Sequence, residues 1–295
     1  MSYDGTTLIT HREDVGPYVA ISHVWVDGLG SNTENGLPVC QIKRIDAYVH
    51  ELLPGCTPAF WIDGLCIPGD PPHPKKVNGK EEQEPQERRW RRMAIRKMGE
   101  TYRRASKVLV FDESIRLLCS RDHSLEENVL RIATSPWMQR VWTLQEALLA
   151  SDLQFEFSTG VVSAHSLRDA IEREESSRWH GFETVKYLLR FLPVYDLLGS
   201  RKMTYDFKEI AALLTHRVTS NPSDQPLAVA GLLNVDTKKL DVDGREDLES
   251  RIRALLLEVK KIPGQILWRN FPRMEHSPCF QWAPASLTSI GRFNK

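Results

Sequence analysis

Three short apolar runs constrain this chain more than any other feature. Each ends on or beside polar or acidic residues, and stretches of helical spacing lie between them. They run from Tyr18 to Trp25, from Ala59 to Asp63 and from Lys107 to Asp112. Apolar runs of this length, bounded by turn residues, read as strands buried on both faces. After the first, Ile42, Ile45, Val49 and Leu52 recur at helical intervals, which predicts a helix over Cys40 to Leu53. After the second, Trp90, Met93, Ala94, Met98, Tyr102 and Ala105 fall on one face of a helix over Arg89 to Ala105. Another helix is expected over Leu125 to Ala133. Ser135 and Pro136 carry an N-cap and N1 signature, predicting a helix that continues to about Leu149. Leu153 to Phe157 alternates apolar and polar residues and predicts a fourth strand. Such alternation of strand and helix implies an α/β fold, a parallel sheet covered by helices.

The pattern then changes. Residues 164–175, 183–199, 206–217, 225–233 and 246–261 all show helical patterning. The expected organisation is an α/β half over residues 1–160 and a mostly helical half over 161–295, packed on it. Between Gly69 and Pro85 lies a long loop rich in proline, glycine and charge.

The bulk numbers exclude several function classes. With 295 residues, 41% of them hydrophobic, a sizeable core is within reach. Lys plus Arg number 39 and Asp plus Glu number 39, so there is no global attraction to nucleic acid or anionic membrane. Zero net charge is compatible with self-association, and a homo-oligomer is a natural partner. The basic run from Arg88 to Arg104 follows several glutamates and reads as a solvated helix face, not a nucleic-acid platform. Five cysteines without a C-x-x-C pair argue against a disulfide framework and a structural zinc site, and point to reduced thiols in the cytoplasm. No histidine pair has metal spacing, and no metal is expected. The polar stretch from Met1 to Asp14 is no secretory signal, and no apolar run is long enough for a membrane span. Phosphate-binding glycine loops and the G-x-S-x-G nucleophile motif are missing.

In an open parallel sheet, ligands bind beyond the carboxyl ends of the strands. Ser22, His23, Trp25 and Asp27 leave the first strand, Asp63 and Cys66 the second, Asp112 and Glu113 the third. Trp142 and Glu146 are four apart and share a helix face, whereas Arg140 does not share it. An aromatic beside a carboxylate there could stack a planar ring and stabilise a developing positive charge. Each residue also has a plain structural reading. Trp142 could be core, Glu146 a solvated helix residue and His23 a hydrogen-bonded core histidine. Asp63 could be a cap, and Cys66 a small buried hydrophobe.

Six blocks, in order, resemble the fungal HET (heterokaryon-incompatibility) domain family. They are Tyr18 to Trp25, Phe60 to Ile67, Ala94 to Phe111, Trp137 to Glu146, His216 to Leu232 and Gln281 to Ser286. Val26 and Pro68 stand where the family often has a glycine and an asparagine. The resemblance implies a role in non-self recognition and programmed cell death, with an incompatibility protein as partner. It also implies a TIR-like, flavodoxin-like sheet. Several TIR domains cleave NAD at the nicotinamide–ribose bond through a helical glutamate, and Glu146 is in the matching place. On that reading NAD is a substrate and no cofactor is needed. Trp142 or Trp25 would stack a ring, Arg140 would meet phosphate, and Asp63 would position ribose hydroxyls, with Ser22 and His23 beside them. A non-enzymatic signalling module and a nucleotide-binding sensor are the alternatives.

Overall fold

The computed structural model describes residues 1–10, 16–24, 36–57, 59–69, 76–77, 80–81, 86–176, 204–240 and 247–291. The sheet has five strands: β1 Val19–His23, β2 Phe60–Ile62, β3 Lys107–Phe111, β4 Leu153–Phe157 and β5 Gly160–Ser163. Their order is β2-β1-β3-β4-β5. The first four are parallel, with Val19 opposite both Phe60 and Lys107, and β5 is antiparallel to β4. The chain moves outward from β1 to β2, then crosses back to place β3 on the other side of β1. This is a flavodoxin-like order, and its switch point lies between β1 and β3.

Every residue of β1 is buried, as a central strand covered on both faces requires. Val19 and Ile21 face α1 (Val39–Leu52), whose Ile45 and Val49 complete a smaller apolar cluster with Phe60, Ile62 and Phe111. Ala20 belongs to the larger core on the opposite face. That face carries α3 (Gln86–Arg104), which follows the four-residue helix α2 (Asp63–Cys66). It also carries α5 (Leu125–Thr134), α6 (Pro136–Gln139) and α7 (Trp142–Leu149), which come after α4 (Glu113–Leu118). The elements that follow β5 are α8 (Ala164–Ser176), α9 (Phe207–Leu214), α10 (Gln225–Ala230) and α11 (Leu248–Glu258). Trp137 and Leu144 share one continuous apolar cluster with Ala228 and Leu255, so the helical half shares its core with the sheet half. Asp206 opens α9 with a capping box and Asp247 caps α11, which explains where these helices start.

The structure departs from the sequence expectations in four places. The helix expected from Pro136 to Leu149 is two helices, broken at Arg140, whose φ of −85° and ψ of 142° are extended. Arg140 there forms a parallel bridge to Val218, with Val141 N–H donating to the Val218 carbonyl at 3.0 Å. A tertiary backbone bond thus displaces the helical one. Secondly, β4 is not half-exposed: Gln154 and Glu156 are buried as well. Glu156 is neutralised by Arg44 and accepts from Tyr48 Oη at 3.0 Å. Thirdly, α4 and β5 lie where no element was expected. Asp112 caps α4, and Gly160, at φ 110°, closes the two-residue turn into β5. Finally, Trp90 and Met93 are exposed, so the buried stripe of α3 covers only its later turns. In the loop after Gly69, Lys76–Val77 pairs antiparallel with Lys80–Glu81. The expected helix at 183–199 lies outside the described residues. Among the described residues no helix is long and apolar enough to cross a membrane.

Candidate active site

A cavity of about 410 Å³ opens at the carboxyl ends of β1 and β2. His23 and Asp63 line it from the strand ends, Arg91 from α3, Arg140 from the break before α7, and Trp142 and Glu146 from α7 itself. Ser220 and Asp224 close it from the helical half. Its size falls within the roughly 300–1,000 Å³ of small-molecule sites.

The local sequence explains each placement. His23 is the last residue of β1, so its ring reaches the strand end, where Nε2 meets Asp63 Oδ1 at 2.7 Å. The same Asp63 oxygen accepts from Gly64 N–H at 2.7 Å, which fixes the carboxylate in the tight turn after β2. Trp142 opens α7 and Glu146 sits one turn later on the same face. The Trp142 indole donates from Nε1 to Asp224 Oδ2 at 3.1 Å, which fixes the ring. The break at Arg140 turns that side chain into the cavity, although in a continuous helix it would not share the face of Trp142. Among the described residues, the Arg140 guanidinium has no hydrogen-bond or ion-pair partner.

Glu146 is buried, 4% exposed, yet lines the cavity. Burial and the neighbouring Asp63 charge push its pKa up from 4.5 to about 7, against the hydrogen bond from Ser22 and the charges of His23 and Arg140. Its Oε2 accepts from Ser22 Oγ, and Ser22 Oγ accepts from Trp137 Nε1 at 2.7 Å. The Tyr102 hydroxyl lies against the same carboxyl and donates to the Ile21 carbonyl at 3.2 Å. For His23, burial opposes the charged form, but Asp63 outweighs it and the pKa is raised. Burial raises Asp224 despite the Trp142 hydrogen bond.

Of the residues singled out from sequence, Ser22, His23, Asp63, Arg140, Trp142 and Glu146 converge here. Trp25 and Asp27 lie outside the described residues. Asp112 is diverted to structure: it caps Ile115 N–H at 3.0 Å and accepts from Trp137 N–H at 2.8 Å. Glu113 pairs with Arg116 on the surface. Cys66 is half-buried and burial raises its thiol pKa, which suits a packing role. Sequence reasoning missed Arg91, Asp224, Trp137 and Tyr102. Asp224 stands within the Ser220 to Asp224 turn, an Asx-rich signal in a helical region, and that was the one available pointer.

A carboxyl group poised near neutrality, a fixed indole and an arginine without a partner among the described residues suit a ligand with separate positive and negative ends. Among the described residues no group of three or more His, Cys, Asp or Glu could hold a metal ion. Comparison with protein-family models, curated proteins and solved structures yields no match.

Proposed function

We propose that this chain is a cytoplasmic cell-death effector of the HET type that cleaves NAD at the nicotinamide–ribose bond. The observation that carries the reading is Glu146, a buried carboxyl group at the wall of a cavity whose neighbouring wall is Trp142. A glutamate paired on a flat surface would have favoured a module without chemistry.

In this reaction the C1′–N bond breaks and its electron pair returns to the pyridine nitrogen. Nicotinamide leaves neutral, so the site needs no general acid. The ribose becomes oxocarbenium-like, and ionised Glu146 stabilises that charge in a water-poor setting. Water then adds at C1′ and releases a proton. Trp142 stacks on a ring, Arg140 and Arg91 meet the phosphates, and the Asp63–His23 pair orders the ribose hydroxyls.

The test is nicotinamide release by purified protein, compared with Glu146→Gln. Full activity in that variant sinks the assignment. Calorimetry with NAD and ADP-ribose separates turnover from sensing, since a sensor binds both and releases nothing. Running the assay across protein concentration reports whether a homo-oligomer completes the site. An incompatibility partner, on this reading, acts on the same oligomer.

A further inference from the structure

We propose that Ser22, held by Trp137, is a positioning residue that orients the Glu146 carboxyl group and favours its ionised form. The inference rests on Glu146 being the reactive carboxyl of this site, not on any particular substrate.

Trp137 Nε1 donates to Ser22 Oγ at 2.7 Å, and an indole nitrogen cannot accept. Ser22 therefore uses a lone pair on Trp137 and directs its single proton to Glu146 Oε2. Trp137 and Ser22 are both 0% exposed, so no bulk water competes for either group. The chain of bonds runs one way, from indole to hydroxyl to carboxyl. A donor held on Oε2 stabilises the carboxylate more than the neutral acid. Ser22 thereby favours the ionised form and holds the carboxyl plane. A buried hydroxyl in a central strand is costly unless it is bonded, and Ser22 both donates and accepts.

The other groups facing this carboxyl are Asp63 from α2, His23 from β1, Arg140 from the break before α7, Tyr102 from α3 and Arg217 beyond α9. Tyr102 and Ser22 contact it, and the others act through space. Removing Ser22 leaves burial and Asp63, which favour the neutral form, opposed by the charges of His23 and Arg140 alone.

The experiment is a ¹³C NMR titration of the full chain labelled at glutamate side chains, with the Glu146 signal assigned by its loss in Glu146→Gln. In Ser22→Ala the Glu146 midpoint should rise by about one unit. Ser22→Thr, which keeps the hydroxyl, should return it toward the wild-type value. Trp137→Phe should move it upward by less, because Ser22 keeps its proton but loses its orientation. An unchanged midpoint in folded Ser22→Ala overturns the proposal. If Ser22→Ala does not fold, Ser22→Cys carries the test, because its weaker donor should still raise the midpoint and an unshifted value overturns the idea. In nicotinamide release, the acid limb of the pH profile should shift upward in Ser22→Ala and return toward its wild-type position in Ser22→Thr, a movement that a merely structural loss would not produce. The titration needs no substrate, so it stands even if NAD is not cleaved. A chain that cleaves NAD with a Glu146 midpoint indifferent to Ser22 overturns this inference alone.

Discussion

The guanidinium of Arg217 donates to the backbone carbonyl of Arg140 at 2.6 Å, across 77 positions of sequence. The same nitrogen reaches Thr143 Oγ1 at 3.1 Å, and Nε bonds the Leu213 carbonyl at 3.0 Å. Burial lowers the Arg217 pKa to about 9, so the fold holds this charge at a cost. In return it ties the helical half to the joint between α6 and α7, the joint that turns Arg140 into the cavity.

Replacing Arg217 with alanine should therefore act twice. It strips a donor from buried carbonyls and should destabilise the chain by about 1–3 kcal/mol in urea unfolding. It should also weaken binding of ADP-ribose in calorimetry, because Arg140 loses its fixed backbone. A variant with reduced stability but wild-type affinity would show that the Val141–Val218 backbone pairing holds the joint by itself.

Glu146→Gln should trade activity for stability. Below pH 4.5 the carboxyl is protonated in both folded and unfolded chains. As pH rises from 4.5 to about 7, the unfolded chain ionises and the folded one resists. Above pH 7 the folded state bears the full cost, on the order of 3 kcal/mol. The variant should then be more stable than wild type at pH 8, with no gain at pH 4, while nicotinamide release falls by at least about 10²-fold. Denaturation at the two pH values checks the first half, and a gain that is equal at both would contradict it.

Asp63→Asn should lower two pKa values together. His23 would keep only the pull of Glu146 against burial and the Arg140 charge, so its raised pKa should fall. Glu146 would lose a repelling neighbour and fall from about 7. In wild type the raised His23 contributes stability that is complete below pH 6.5 and lost as pH rises through its folded value. The variant should lack that alkaline loss. NMR titration of the imidazole reads the first effect, and a His23 value that stays raised would place its charge partner elsewhere.

Asp112→Ala should be costly despite removing a residue outside the cavity. It abolishes the α4 cap and strands the buried Trp137 N–H, together worth about 2–4 kcal/mol. Asp112→Asn keeps one acceptor and should recover part of that loss. Thermal unfolding of the two variants orders them, and equal midpoints would argue that Asp112 serves only one of the two bonds.

The strands β1 to β4, the helices α1, α3 and α5 and the parallel order of the first strands were legible in the sequence. Their signals are local: apolar runs too short for helices, periodicity near 3.6 and capping residues at fixed offsets. The convergence of strand-end residues on a crevice was legible too, because β1 ends at His23 and Asp63 follows β2 wherever the rest of the chain goes. What sequence could not show depends on partners far along the chain. Arg140 leaves the helix because Val218 offers a backbone pairing, Glu156 is buried because Arg44 neutralises it, and Glu146 is poised because Ser22 and Asp63 close on it from other elements. Side-chain pattern reports which face of an element seeks the core. It carries no record of which charged or hydrogen-bonding group meets it there. So the sequence alone named Trp142 and Glu146 as neighbours, and only the packed structure made Glu146 a buried carboxyl group titrating near neutrality.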